Sequence, residues 1–102
     1  MNKVIMYIPS FEKSGKEIKN RDKVLNDSLL FFADNYGGAT SYEANGSWKL
    51  ANGKLQVEPV TIIYSHTKKA QKTKLIKHAR KLKLECKQES VMLEVNNEAI
   101  FI

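Results

Sequence analysis

A chain of 102 residues, 42% hydrophobic and 27% charged, has room for one small core, and its charge density and evenly spread apolar residues argue against disorder. No stretch approaches the roughly 18 apolar residues that span a bilayer, and the start lacks the cationic, apolar run of a signal peptide. Cys86 is the one cysteine, which excludes an intrachain disulfide and a cysteine-based metal cluster, and 17 Lys and Arg against 11 Asp and Glu leave a net charge of +6 that invites an acidic partner. The expectation is a single domain over residues 1–102 in a reducing cytoplasm, without membrane contact.

Val4 to Ile8 reads as an apolar strand closed by Pro9, central in its sheet. Ser10 to Lys19 reads as a solvated loop. A helix is predicted from Asn20, with Asp22 in its first turn where the dipole favours an anion. Leu25, Ser28, Leu29, Phe32, Ala33 and Tyr36 form its inward stripe, and Gly37-Gly38 ends it. Asn45-Gly46 is a turn signal between strands Ala39–Glu43 and Ser47–Leu50, and Asn52-Gly53 is a second one. Pro59 suits a strand start, so the long strand is expected to run from there through Tyr64. Thr67 caps a predicted basic helix over 68–83, with Leu75, Ala79, Leu82 and Cys86 inward. Val91–Val95, an Asn96-Asn97 turn and Ala99–Ile102 close the chain.

The order β, α, hairpin, β, α, β, β predicts an α+β fold: a ferredoxin-like two-layer sandwich with two helices on one face of an antiparallel sheet. A different two-layer plait is the rival. In the middle of the chain, Gly37-Gly38-Ala39-Thr40, Gly46-Ser47-Trp48, Gly53-Lys54-Leu55 and Glu58-Pro59-Val60-Thr61 follow one another. This pattern resembles families of short bacterial and phage proteins of unknown function. The resemblance implies an α/β plait and carries no catalytic residue.

The usual constellations for chemistry are missing. Ser65 and His66 adjoin, so on a strand they point to opposite faces. His78 and Cys86 lie about two helical turns apart, roughly 12 Å, too far for proton transfer. Two histidines and one cysteine without paired spacing do not make a zinc site, and Asp27 and Asp34 read as solvated charges. Ser14-Gly15-Lys16 lacks the glycine spacing of a phosphate loop. No catalytic residue, metal or cofactor is expected.

Two asymmetries remain. Residues 68–87 hold nine of the 17 cations against one acid, Glu85, a charge of +8 where the rest of the chain sums to −2. Lys74, Lys77, Arg80 and Lys81 share its outward side and are the candidate partner-binding cations. Only two of the 17 cations are Arg, which argues against sequence-specific nucleic-acid reading. The second asymmetry is Leu30 and Phe31, off the inward stripe of the first helix, with Trp48 and Tyr42 on the hairpin completing an apolar patch or the hairpin covering them. These features suggest a non-enzymatic binding module acting on a protein or a protein–nucleic-acid machine, such as a mobile-element inhibitor of a host defence nuclease. A nonspecific nucleic-acid binder using helix 68–83 is the alternative, and a homodimer contact is a further use of the apolar patch.

Overall fold

The computed structural model describes all 102 residues. In chain order the elements are β1 (Asn2–Ile8), α1 (Arg21–Tyr36), β2 (Thr40–Lys49), β3 (Leu55–Thr67), α2 (Lys72–Glu85), β4 (Met92–Val95) and β5 (Glu98–Phe101). The five strands form one antiparallel sheet in the order β2-β3-β1-β4-β5. β1 and β3 are adjacent and central, as their unbroken apolar runs predict.

Strand alternation sorts the side chains. Val4, Met6 and Ile8 of β1, Ile63 of β3 and Leu93 and Val95 of β4 are all buried, and they share one face of the sheet. The two helices cover that face with Val24 and Phe32 from α1 and Leu75, Ala79 and Leu82 from α2. Arg21, at the start of α1, ties the helix to the sheet: its guanidinium donates to the Pro9 carbonyl at 3.1 Å and to Thr61 Oγ1 at 2.6 Å, and Thr61 donates on to Glu43 at 2.5 Å.

α1 begins beside Asn20 and ends at Gly37, whose φ of 86° and N–H bond to the Ala33 carbonyl form a left-handed cap. Its buried stripe is rotated from the expected one. Val24, Ser28 and Phe32 are fully inside, Leu25, Leu29 and Tyr36 flank them, and Ala33 is exposed. The rotation brings Phe31 against α2 as well.

The central region departs from expectation. β2 runs straight through Asn45-Gly46, and the only turn is at residues 50–54, around Asn52-Gly53. Gly46 serves a different need: a Cβ there would lie 3.2 Å from the Val60 side chain across the ladder. β3 therefore begins at Leu55, and Pro59 sits inside it. The β1 ladder ends at Ile8 opposite Thr61, so beside Pro59 no bond on that side is lost. The second helix starts four residues later than expected. Thr67 stays in the β3 ladder opposite Asn2, and residues 68–71 cross to the helix, held by Tyr36 Oη donating to the Ala70 carbonyl at 2.6 Å. Cys86 lies just past α2 and is fully buried, as expected. Asn96 and Asn97, with φ of 52° and 69°, make the tight turn into β5.

Candidate functional site

The sheet face opposite the helices has no covering layer. In successive rows it carries Tyr42–Ile62–Tyr7 and Tyr64–Ile5–Glu94, with Val60, Met92 and Phe101 at its margins. Tyr7, Ile62, Tyr64 and Glu94 are half-buried, and Tyr42 and Phe101 are largely exposed. The Tyr42 and Tyr64 rings meet edge-on with centroids 6.2 Å apart.

One polar pair sits in this aromatic surface. Tyr7 Oη donates to Glu94 Oε1 at 2.6 Å, joining β1 to β4. Burial, then that hydrogen bond, then the nearby carboxylate push the Tyr7 hydroxyl up to about 12. The proton therefore stays on the tyrosine, and Glu94 is the acceptor. The Lys3 ammonium lies over the Tyr64 ring, 5.0 Å from its centroid, which shows that ring accepting a cation. Beside Tyr64 and His66, a groove of about 320 Å³ opens across Gly37–Thr40, within the range of small-molecule sites. Aromatic faces, one carboxylate and one ammonium can hold a cationic, partly aromatic ligand.

Neither Ser65 nor Cys86 offers a nucleophile to this face. Ser65 points to the helix side, where its hydroxyl donates to the Gly38 carbonyl, while His66 points outward. The Cys86 thiol is pushed up to about 11 by burial and then by Glu85, so it stays protonated.

A serine–histidine contact does exist elsewhere. Ser28 Oγ and His78 Nε2 lie 2.9 Å apart between α1 and α2, with the Phe31 ring stacked on the imidazole at 4.6 Å. The space beside them is about 10 Å³, room for at most one water. Burial, and then Lys81, lower the His78 pKa. The arrangement satisfies a fully buried serine, and the imidazole also borders the open groove that Phe31, Lys74, Lys77 and Lys81 line.

Of the expected partner-binding residues, Phe31, Lys74, Lys77 and Lys81 come together along one open groove of about 490 Å³, and Leu30 and Trp48 lie outside it. Lys74, Lys77, Arg80 and Lys81 are exposed on α2, and Leu30 is 60% exposed on α1. Phe31, half-buried, packs against the core and His78 and lines that groove with the α2 lysines. Trp48, 45% exposed, and Tyr42 belong to the uncovered sheet face and its hairpin extension, away from Leu30, so the hairpin neither joins that patch nor covers it. Trp48 borders a groove of about 700 Å³ with Phe11 and Glu58.

Tyr7 and Glu94 are not singled out by sequence reasoning because 87 residues separate them. A faint signal is present: Glu94 is a lone acid in the middle of an apolar strand. Such a residue marks a face that is not core.

No family model matches the sequence, and no curated protein is similar enough in sequence to count as a relative. Similarity appears at the level of structure. A phage SAM lyase in complex with S-methyl-5'-thioadenosine superposes with a TM-score of 0.67 over 99% of this chain and 88% of that one, at 16% identity. A phage SAM lyase in the apo state gives a TM-score of 0.63 over 99% of this chain and 87% of that one, also at 16% identity. At that identity the likeness is one of fold. It overturns the expectation of a non-enzymatic binding module, because the architecture over nearly the whole chain is one that an enzyme uses.

Proposed function

We propose that this chain is an enzyme that cleaves S-adenosylmethionine, or a closely similar sulfonium nucleoside, on the uncovered face of its sheet. The observation that carries the reading is the Tyr7–Glu94 pair set among Tyr42, Tyr64 and aliphatic side chains on that face. The fold likeness to SAM lyases supports it.

The chemistry suits residues that bind and orient without attacking. S-methyl-5'-thioadenosine is S-adenosylmethionine less its four-carbon amino-acid tail, so the bond that breaks joins sulfur to the tail. A lyase adds no water, and the tail must complete its own valence. Its carboxylate oxygen can attack the carbon that sulfur leaves, closing a five-membered lactone while the bonding pair stays on sulfur. Atoms and charge balance: a sulfonium and a carboxylate become a neutral thioether and an ester, and no proton moves. This route needs neither a base nor a protein nucleophile.

Two physical effects accelerate it. Opposite charges are annihilated, so the transition state is less polar than the ground state and is favoured on a surface of Ile5, Ile62 and Met92 over water. Holding the tail folded onto its own carbon removes rotational freedom from the activation barrier. Tyr64 and Tyr42 offer ring faces to the sulfonium and the adenine. Glu94, oriented by Tyr7, attracts the cationic end of the tail.

Three further readings belong to the same proposal. A ferredoxin-like arrangement with β5 added beside β4 is the finer reading of the fold, and the strand order β2-β3-β1-β4-β5 supports it. Consumption of a methyl donor gives the anti-defence role a different basis, depletion in place of contact with a nuclease. The α2 cations Lys74, Lys77, Arg80 and Lys81 are kept as a surface for a macromolecular partner, with Trp48 a separate contact on the hairpin, and both stand apart from the reaction.

The test is to incubate the purified chain with S-adenosylmethionine and follow the products by mass. S-methyl-5'-thioadenosine and a lactone that carries no ¹⁸O when formed in H₂¹⁸O are expected. Absence of S-methyl-5'-thioadenosine above the uncatalysed rate overturns the assignment.

A further inference from the structure

Lys3 and Glu94 present opposite charges on the same sheet face without pairing to one another. Lys3 lies on β1 opposite His66 of β3, and Glu94 lies on β4 opposite Ile5, two residues further along β1 on the same face. No carboxylate approaches the Lys3 ammonium within 4.0 Å; the chain's four ion pairs involve Lys13, Lys23, Lys81 and Lys87. Instead the ammonium rests over the Tyr64 ring at 5.0 Å. Glu94 uses Oε1 to accept from Tyr7, and no protein donor reaches its Oε2.

A cation over the Tyr64 ring and an anion across Ile5 from that ring, neither neutralised by the other, match a ligand that is itself dipolar. An α-amino acid group is such a ligand, with an ammonium and a carboxylate on one carbon. The geometry points to Lys3 and Glu94 as the residues that read the zwitterionic amino-acid tail of the substrate, with Lys3 on the carboxylate and Glu94 on the ammonium.

This inference rests on the proposed function and adds a basis for its specificity. One carboxylate oxygen held by Lys3 leaves the other free to attack. When the ligand's carboxylate draws Lys3 away, the Tyr64 face is released for the sulfonium, so one displacement serves two contacts. After cleavage the nucleoside fragment carries no tail. It loses both charged contacts, and its release is favoured.

Neither residue contributes to the core, since Lys3 is exposed and Glu94 half-buried. The main-chain bond from the Lys3 N–H to Asn96 Oδ1, 2.9 Å long, survives any side-chain change.

The experiment measures by calorimetry the binding of two stable probes, S-adenosylhomocysteine, which keeps the zwitterionic tail, and S-methyl-5'-thioadenosine, which lacks it. The proteins are the natural chain, Lys3→Met and Lys3→Arg. Lys3→Met is expected to weaken S-adenosylhomocysteine about fivefold, the worth of one partly exposed charge pair. It should leave S-methyl-5'-thioadenosine unchanged, and Lys3→Arg should restore the first probe. Equal weakening of both probes, or none of either, overturns the role of Lys3 while leaving the proposed function standing. Failure of the natural chain to bind either probe overturns both.

Discussion

The two faces of the sheet are built from the same strands and do opposite work. On the helix side Val4, Met6 and Ile8 of β1 are fully buried, and Phe32, Leu75 and Leu82 close over them. On the other side the alternate positions mix tyrosines with Ile5, Ile62, Lys3, Glu58 and Glu94, and no layer covers them. Strand alternation thus separates stability from chemistry one residue at a time. Substitutions one position apart along a single strand should therefore differ in kind as well as in size.

The largest effect is expected on the covered face. Phe32→Ala empties a site with 0% exposure and should destabilise the chain by about 3–5 kcal/mol in denaturant unfolding. A loss below about 1 kcal/mol would show that α1 does not pack as described.

Next come changes on the open face that spare the fold. Tyr7→Phe removes the hydroxyl that orients Glu94, a hydrogen bond to a charged group worth roughly 1.5–3 kcal/mol. If it acts mainly in the transition state, cleavage of S-adenosylmethionine slows by about 10- to 100-fold. The unfolding midpoint should move less than in Phe32→Ala, because no cavity opens in the core. A large loss of stability with activity per folded molecule unchanged would merge the two faces into one structural unit.

The helix interface sharpens the contrast through pH. Burial lowers the folded-state pKa of His78 below its ordinary value of 6.5. As pH falls through that value the unfolded chain takes up a proton that the folded ring resists, so stability contributed by the neutral ring drops with acidification. His78→Gln, which can still pair with Ser28, should remove that component of the pH dependence and leave the cleavage rate at neutral pH intact. An unchanged pH–stability curve would place His78 in solvent.

The smallest effect is predicted on α2. Lys74, Lys77 and Lys81 to Glu together take the net charge from +6 to 0, and Lys81 forms only an exposed 3.8 Å pair with Glu85. Folding and cleavage should both survive, each replacement costing about 0.5 kcal/mol or less. Loss of cleavage in a folded variant would move the chemistry to the helix side.

Elements with strong local signals are legible in the amino-acid order alone. β1 and its central place, the end of α1 at Gly37, the buried Cys86 and the Asn96-Asn97 turn all follow from short-range patterns. Asn45-Gly46 misleads because the pair signals a turn only where both residues take positive φ; here the glycine makes room for Val60. The start of α2 is shifted because long-range pairing of Thr67 with Asn2 outweighs its capping preference. The site is the least legible part. Tyr7, Tyr64 and Glu94 carry no motif, and they meet only because β1 lies between β3 and β4.

The measurement that bears most directly on a functional open face is an NMR titration of the natural chain with S-methyl-5'-thioadenosine. The resonances of Tyr7, Ile62, Tyr64 and Glu94 are expected to shift together, with those of Ser28, His78 and Lys77 unmoved. Shifts confined to the α1–α2 side, with the Tyr7–Glu94 pair silent, would contradict the account.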